Sequence, residues 1–188
     1  MPVSALTDWK MAMTVTLRLA TLADVPHFAR WDTQPHVIRA TSDDPDADVA
    51  FEDAVWAEEI GSDDPASTYY VAELGGRPVG AMQVIDPALE RTHYWGADCP
   101  QNLRAMDIWI GEPDCLGKGL GTRMMTLAID QAFADPNVGA ILIDPLASNT
   151  RAHRFYRRLG FTFVEQRFFD EDDCFVYRLN RAGWRNGA

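Results

Sequence analysis

The chain has 188 residues, of which 47% are hydrophobic and 24% are charged, so it can form a folded core and falls outside the disordered class. Its formal net charge of -11 argues against binding to nucleic-acid phosphates and favours a cationic small molecule. The three cysteines and four histidines show neither CxxC nor paired-ligand spacing, so no disulfide framework and no metal site are expected. Lacking an apolar run of ~18 residues and a signal-peptide pattern, the chain is expected to be cytoplasmic, without a membrane partner.

Hydrophobic periodicity and turn residues predict a continuous series of strands and helices. In chain order these are a strand at 15–20, a helix at 21–31 begun by a capping box, an acidic loop leading to a helix at 49–60, a hairpin turning at 75–76, a strand at 103–111, a helix at 119–134, a strand at 138–145, a helix from 148 or 149 to 160, and two strands around the acidic turn 170–173. This order, β-α-α-β-β-β-α-β-α-β-β, predicts an α/β or α+β fold with helices packed on a mixed sheet. We expect residues 1–13 to be a loose leader and 14–188 to form one domain.

The segment LGKGLGTRM places Gly117, Gly119 and Gly121 directly before the predicted helix at 119–134. A glycine loop between a strand and a helix N-terminus is typical of an anion site, because the first amides of the helix have no intrahelical acceptor. Neither the Walker A pattern nor the Rossmann fingerprint fits the spacing. Two interpretations remain from the loop alone: a cradle for the pyrophosphate of coenzyme A, or glycines needed only for tight packing.

A second motif follows about thirty residues later, in SNTRAHRFYRRLGF. It matches the pattern N-x-x-A-x-x-F-Y-x-x-x-G-F at Asn149, Ala152, Phe155, Tyr156, Gly160 and Phe161. With the glycine loop, this resembles the GNAT superfamily of acyl-CoA-dependent N-acyltransferases, although Leu116 stands where that loop signature has Arg or Gln. The resemblance implies a GNAT fold: a splayed, mixed but mostly antiparallel sheet of about six or seven strands flanked by about four helices, with acetyl-CoA between two parallel strands.

From about Val15 to Leu179 the chain is most similar to the aminoglycoside 6'-N-acetyltransferase branch, through segments such as GRPVGAMQ, RAMD and DPNVGAILIDPLASNTRA. The resemblance implies acetyl transfer to a primary amine of a polycationic small molecule, of which an aminoglycoside is one, by a monomer or homodimer. One departure is the segment HVIRATSDD, where that branch carries a tryptophan pair. Other acceptors therefore stay open, namely a siderophore hydroxylamine, a polyamine or a protein N-terminus, as does a catalytically silent acyl-CoA sensor.

The resemblance also assigns the cofactor site and one catalytic residue. Acetyl-CoA would contact Ile108, Trp109, Ile110, Gly117, Lys118, Gly119, Leu120, Gly121, Thr122, Asn149, Ala152 and Phe155. The amides at 108–110 would polarise the thioester carbonyl if the strand bulges there. Tyr156 would be the general acid that protonates the leaving thiolate, and its alternative role is a core tyrosine.

Acidic residues are the candidates for the acceptor side of the site. Strand alternation puts Asp107 and Trp109 on one face of their strand, where Asp107 would face the amine and act as the second catalytic residue. Asp144 and Asp98 match acidic positions of the same branch and would bind substrate ammonium groups, with Trp95 beside them; a turn-capping role is the alternative for both.

Three further observations limit the mechanism. Cys115 has no apparent His or Asp partner, so an acyl-cysteine intermediate is not favoured. His153 and Arg154 are expected to face solvent or phosphate. The tryptophans are expected either to wall the substrate site or, more commonly, to pack in the core; they are Trp31, Trp56, Trp95 and Trp109.

Overall fold

The computed structural model describes residues 14–52 and 54–184. The strands are β1 Val15–Leu19, β2 Ser67–Leu74, β3 Arg77–Ile85, β4 Leu103–Ile110, β5 Ala140–Ile143, β6 Thr162–Phe169 and β7 Asp172–Asn180. The helices are α1 Val25–Asp32, α2 Pro35–Thr41, α3 Trp56–Gly61, α4 Leu120–Ala134 and α5 Thr150–Arg158. Short 3-10 turns lie at Leu22–Asp24, Pro113–Cys115 and Arg181–Gly183.

One seven-stranded sheet, in the order β1-β2-β3-β4-β5-β7-β6, forms the centre of the molecule. Neighbouring strands are antiparallel except β4 and β5, which run parallel. These two pair only across Leu103–Ala105 and Ala140–Leu142, so β4 continues for five residues past its last β5 partner. The expected splayed, mostly antiparallel GNAT sheet is confirmed, and its gap opens at the carboxyl end of β4.

Side chains pack on both faces of this sheet. On one face, α4 and α5 cover a core that includes Met106 of β4 and Ile141 of β5. On the other face, α1, α2 and α3 pack an aromatic cluster against Trp109, while Trp95 of the loop at 86–102 packs near Leu103. β4 therefore presents Met106 to the face covered by α4 and α5, and Asp107 and Trp109 to the face covered by α1, α2 and α3.

The structure corrects the sequence prediction between β1 and β2. A helix at 49–60 was expected, but the described residues of that range form a helix only at α3, and the short α2 was not predicted. The buried carboxylate of Asp32 accepts the backbone N–H of Ala50 and of Phe51, each at 3.0 Å, and Nε1 of Trp56 at 3.1 Å. These bonds fix the loop at 50–51 and the start of α3 against the end of α1. The predicted leader at 1–13 lies outside the described residues.

Among residues 14–52 and 54–184, no helix combines the length and the apolar character that a membrane crossing requires.

Candidate active site

The gap between β4 and β5 is lined by backbone of β4. The register of β4 against β3 runs without a shift from Ala105 to Ile110, so the bulge considered at 108–110 is not there. The irregularity comes one step later, where the N–H groups of Gly111 and Glu112 both donate to the carbonyl of Val79. In an antiparallel ladder, amides point alternately toward and away from the partner strand.

Two of the three predicted amides are consequently directed into the gap. The N–H of Gly111 donates to β3. By alternation, the N–H of Trp109 also points toward β3, whereas the N–H groups of Ile108 and Ile110 point to the opposite side. The carbonyl of Ile110 confirms this direction, since it accepts from His36 Nε2 of α2 at 2.7 Å. The Trp109 side chain is 5% exposed in the aromatic cluster, which leaves it no contact with the gap.

The glycine loop ends at the N-terminus of α4. Gly117 and Gly119 have φ of 71° and 77°, in the left-handed region, and Gly119 is the N-cap residue. Within the described residues, none of the amides at 117–122 donates to a backbone or side-chain acceptor that the fold supplies. Lys118 and Thr122 beside them are exposed, whereas Leu120 is buried. This row of unpaired N–H groups at a helix N-terminus is suited to a bound phosphate.

An ion network anchors the base of this loop. The carboxylate of Glu112 accepts from Trp31 Nε1 at 2.8 Å, is paired with Arg30, and contacts Arg77 at 3.1 Å. Arg77 also reaches Asp114 at 2.9 Å. These bonds, Arg30 foremost, hold the pKa of Glu112 below its usual range although burial acts in the opposite direction. The segment between β4 and α4 is therefore fixed on α1 and β3.

Helix α5 presents the second motif. Asn149 is the N-cap: its Oδ1 accepts from the N–H of Ala152 at 3.1 Å, and its Nδ2 donates to the carbonyl of Ala40 at 3.4 Å. Ala152 and Phe155 are half-buried, and the Phe155 ring lies 3.6 Å from the position that a Cβ on Gly121 would take. The two motifs thus meet where α4 begins.

Tyr156 lies one turn further along α5, with a buried ring (8% exposed) against Phe161. Its hydroxyl has no hydrogen-bond partner within the described residues. Burial, and then the negative charges of Asp107 and Asp144, raise the pKa of the phenol above its ordinary value. Tyr156 is thereby neutral at physiological pH and lies within electrostatic range of both carboxylates.

Asp107 and Asp144 lie within electrostatic range of a third carboxylate, that of Glu90 from the loop at 86–102. Burial first, and then Asp144 and Glu90, raise the pKa of Asp107; burial is also the main cause of the raised pKa of Asp144. Burial, Asp144 and Asp64 raise the pKa of Glu90 to about 7. Among the described residues, no Lys or Arg forms an ion pair with any of these three, and Glu90 Oε2 is buried without a hydrogen-bond partner.

We call Glu90, Asp107 and Asp144 the acidic cluster. The hydroxyl of Tyr94 donates a hydrogen bond to Oδ2 of Asp144 at 2.6 Å. The Tyr94 ring is 41% exposed and stacks on Phe169 with ring centroids 4.2 Å apart. The cluster therefore combines desolvated carboxylates with an accessible aromatic ring.

Two predicted acceptor-side residues lie elsewhere. Trp95 is 8% exposed and packs on Phe169 in the core, so Tyr94, its neighbour, is the aromatic residue that reaches the acidic cluster. Asp98 is exposed and lines a cavity of about 380 Å³ that it shares with Trp95 and Arg167. Asp98 has no part in the pKa shifts of the cluster, so the structure does not join it to Asp107 and Asp144.

The remaining expectations are settled by burial. His153 is 7% exposed and stacks on Phe175, so the expectation that it faces solvent or phosphate was wrong, while Arg154 is exposed as expected. Burial raises the pKa of the Cys115 thiol, which is 2% exposed and unsuited to act as a nucleophile. Core packing was the correct alternative for the tryptophans, which are Trp31, Trp56, Trp95 and Trp109.

Sequence reasoning missed Glu90 and Tyr94. Both stand in the loop at 86–102, where no hydrophobic period marks one side chain as inward-facing. The acidic residue of ALERTHYWG was visible as a charge beside aromatic residues, but only the return of the loop over β4 brings it to Asp107. Within the described residues, no three His, Cys, Asp or Glu side chains converge to hold a metal ion.

The strand gap, the loop of unpaired amides and the capped helix bearing Tyr156 together define an acyl-CoA-dependent N-acyltransferase. In agreement, the family described as Acetyltransferase (GNAT) domain matches residues 20–169, and the chain belongs to this family.

Similar proteins narrow the class further. The aminoglycoside N(6')-acetyltransferase type 1 of Klebsiella pneumoniae is 30% identical over 154 residues, which cover 79% of this chain and 74% of that protein. The crystal structure of aminoglycoside acetyltransferase AAC(6')-Ib with coenzyme A and kanamycin superposes with a TM-score of 0.76 at 27% identity, covering 90% of this chain and 96% of that one. Spermidine N-acetyltransferase from Vibrio cholerae shares the fold. Its structure superposes with a TM-score of 0.68 at 18% identity, covering 90% of this chain and 96% of that one. The predicted resemblance to the 6'-N-acetyltransferase branch is confirmed.

Proposed function

We propose that this protein transfers the acetyl group of acetyl-CoA to a primary amine of a polycationic small molecule, with the 6'-amine of an aminoglycoside as the leading acceptor. The observation that carries the proposal is the acidic cluster, because its three carboxylates form no ion pair with Lys or Arg among the described residues and lie beside a gap suited to an acyl thioester. The named activities of the similar proteins, aminoglycoside 6'-acetylation and kanamycin resistance, support the same acceptor class.

Electrostatics explain why a polycation suits this site. Desolvation and neighbouring negative charges disfavour the charged forms of Asp107, Asp144 and Glu90 when no cation is bound. Ammonium groups of an acceptor would supply the missing positive charge and stabilise the carboxylates. Tyr94 bonds to Oδ2 of Asp144, so an ammonium group of the acceptor would approach the carboxylate at Oδ1. A monoamine would neutralise one carboxylate and leave the others repelling each other, so several amines bind better than one.

Acetyl-CoA would bind along the motifs that meet at α4. The amides of Gly117 to Thr122 would bind the pyrophosphate, with Lys118 adding charge. Asn149 would keep its capping bond through Oδ1 and offer its second Nδ2 hydrogen to the pantetheine arm. Ala152 and Phe155 would form the floor beneath this arm, and the amides of Ile108 and Ile110 would polarise the thioester carbonyl.

The reaction follows from these positions in a ternary complex. The reacting ammonium group first loses a proton to solvent, and the neutral nitrogen then attacks the thioester carbon, forming a C–N bond, after which the C–S bond breaks. The second proton lost by this nitrogen passes to Asp107, which burial makes a better base than an ordinary aspartate, and Asp107 returns it to solvent. The phenol proton of Tyr156 passes to the departing sulfur, and Tyr156 recovers a proton from solvent. Buried Cys115 takes no part, so no acyl-enzyme is formed.

Thiol release from acetyl-CoA, measured with kanamycin, spermidine, a hydroxylamine and a peptide amine, tests the function. We expect kanamycin to give the highest kcat/KM and a mono-acetylated product carrying the acetyl group at the 6' position, identified by mass spectrometry and NMR. If acetyl-CoA binds but none of these amines gives thiol release, the proposed activity is refuted and the protein is a sensor.

The variant Tyr156→Phe tests the assigned acid. It keeps the ring in the core but removes the proton, so kcat should fall by about 10²-fold or more while coenzyme A binds as before. The control is Phe161→Leu, which changes the packing under Tyr156 but removes no proton donor. Unchanged kcat in Tyr156→Phe would remove Tyr156 from the mechanism.

A further inference from the structure

Strand β6 lies at one edge of the sheet, and no strand of residues 14–52 and 54–184 pairs with its outer side. Six of its eight residues are exposed, including three large apolar side chains: Phe163 at 48%, Val164 at 51% and Phe168 at 67%. β7 pairs with its inner side only. The outer N–H and C=O groups of β6 thus form an unpaired edge next to exposed apolar surface.

Edges of this kind are usually protected in monomeric proteins by charged side chains, proline, bulges or shortness. The sequence of β6, TFVEQRFF, contains neither lysine nor proline, and its charges are Glu165 and Arg167, of opposite sign. A register shift between Phe163 and Glu165 limits the regular ladder to the segment from Glu165 to Phe169. An exposed apolar edge with so little protection calls for a partner that covers it.

We propose that β6 is covered by β6 of a second copy of this chain, in antiparallel pairing about a twofold axis at Gln166. Antiparallel self-pairing puts residues whose numbers have a constant sum opposite each other. With Gln166 opposite itself, Glu165 lies opposite Arg167 of the other copy, and Arg167 lies opposite its Glu165. Phe168 then approaches Val164 of the other copy.

The charges of Glu165 and Arg167, and the sheet face on which they lie, support this register. Glu165 and Arg167 lie on one face of the sheet, opposite Val176 and Cys174 of β7, whereas Gln166 and Phe168 lie on the other. The two charges of one copy form an exposed pair at 2.5 Å, and self-pairing at Gln166 would extend it to four alternating charges.

Neighbouring registers lack this match. Centring the pair on Glu165 would put Glu165 opposite itself, and centring it on Arg167 would put two guanidinium groups opposite each other. Shifting by one residue would place side chains of opposite faces across from each other. A second copy is therefore favoured over an unrelated strand, because the edge is complementary to itself in one register.

The other edge of the sheet, β1, differs in each of these respects. It has five residues, and its charged residue is paired within the chain, since Arg18 pairs with Asp24 and Glu73, each at 2.7 Å. Leu19 is nevertheless 60% exposed, as much as the apolar residues of β6. This makes Leu19→Glu a matched control for Phe168→Glu.

Sedimentation equilibrium of the full chain over a wide concentration range tests the proposal. We expect a monomer–dimer equilibrium that Phe168→Glu shifts to monomer and Leu19→Glu leaves unchanged. Glu165→Arg alone, or Arg167→Glu alone, should raise the dimer dissociation constant roughly tenfold or more, because each puts like charges opposite each other at two symmetric positions. The double variant Glu165→Arg with Arg167→Glu should return it to within about threefold of the original.

Three outcomes would overturn the proposal. They are a chain that stays monomeric at every concentration, a dimer that Leu19→Glu disrupts as strongly as Phe168→Glu, and a double variant that dimerises no better than the single ones. Thermal melting of each variant separates loss of pairing from loss of folding. Thiol release plays no part in these measurements, so their result is independent of the proposed activity.

Discussion

Gly119 allows the role of the glycine loop to be separated from its structural cost. The residue has φ of 77°, and a Cβ added to it would meet no atom within 4 Å. Gly76, in the hairpin turn between β2 and β3, has φ of 82° and equally open surroundings. Alanine at either position therefore introduces the same backbone strain, about 1–2 kcal/mol, with no clash.

The two alanine variants should match in stability and differ in cofactor binding. Urea unfolding should show both destabilised by about 1–2 kcal/mol. Relief of the strain at Gly119 turns loop amides away from a bound phosphate, and losing one hydrogen bond to a charged group costs about 1.5–3 kcal/mol, so the Kd for coenzyme A should rise by about 10- to 100-fold. Isothermal titration calorimetry measures this rise.

Gly76→Ala should bind coenzyme A with the original affinity. Equal affinities for coenzyme A in the two variants would refute the assignment of the 117–122 amides to the pyrophosphate. The structural alternative, in which the glycines serve packing only, predicts that equality.

The remaining predictions concern the acidic cluster and the packing beneath the loop. The folded state raises the pKa of Glu90 from 4.5 to about 7 and raises those of Asp107 and Asp144, so the folded chain retains protons that the unfolded chain has lost. The free energy of unfolding should fall as pH rises through this window, and kanamycin should restore the melting temperature most at its upper end; a pH-independent melting temperature would contradict this. Gly111→Ala should destabilise the fold by about 3 kcal/mol or more in chemical unfolding, because its Cβ would lie 2.0 Å from the buried ring of Trp31. Wild-type stability of that variant would show that the indole moves freely.

Local patterns predicted most of the sheet because its strands alternate or are continuously apolar. Two regions escaped prediction for a common reason, namely that a distant side chain decides the local backbone. Asp32 binds the amides of Ala50 and Phe51 and so fixes them as a loop against α1, and the helix of this segment is α3. Likewise, His36 of α2 is bonded to the carbonyl of Ile110, which lies 74 positions further along the sequence and stabilises α2 at the site. Periodicity within a segment carries no record of such bonds.

The residues of the site also divide into those placed by a local sequence pattern and those placed by contacts distant in sequence. Tyr156 and Asn149 could be predicted because the motif fixes their spacing on one helix, and Asp107 because alternation fixes its face on β4. Glu90 could not, since its role exists only through proximity to Asp107 and Asp144 in the folded chain. Trp95 and Tyr94 are adjacent in sequence, and only packing decides which ring enters the core and which reaches Asp144.

The same loop connects the acceptor side of the site to β6. Tyr94 donates to Asp144 and stacks on Phe169, the last residue of β6, while Arg167 of β6 contacts the carbonyl of Trp95 at 3.4 Å. A second copy paired along β6 would contact the strand that supports Tyr94, although it would add no group to the acidic cluster. Pairing should therefore alter KM for the acceptor, through the position of Tyr94, more than it alters kcat. The loop amides at 117–122, which belong to the opposite end of the gap, should bind coenzyme A equally in monomer and dimer.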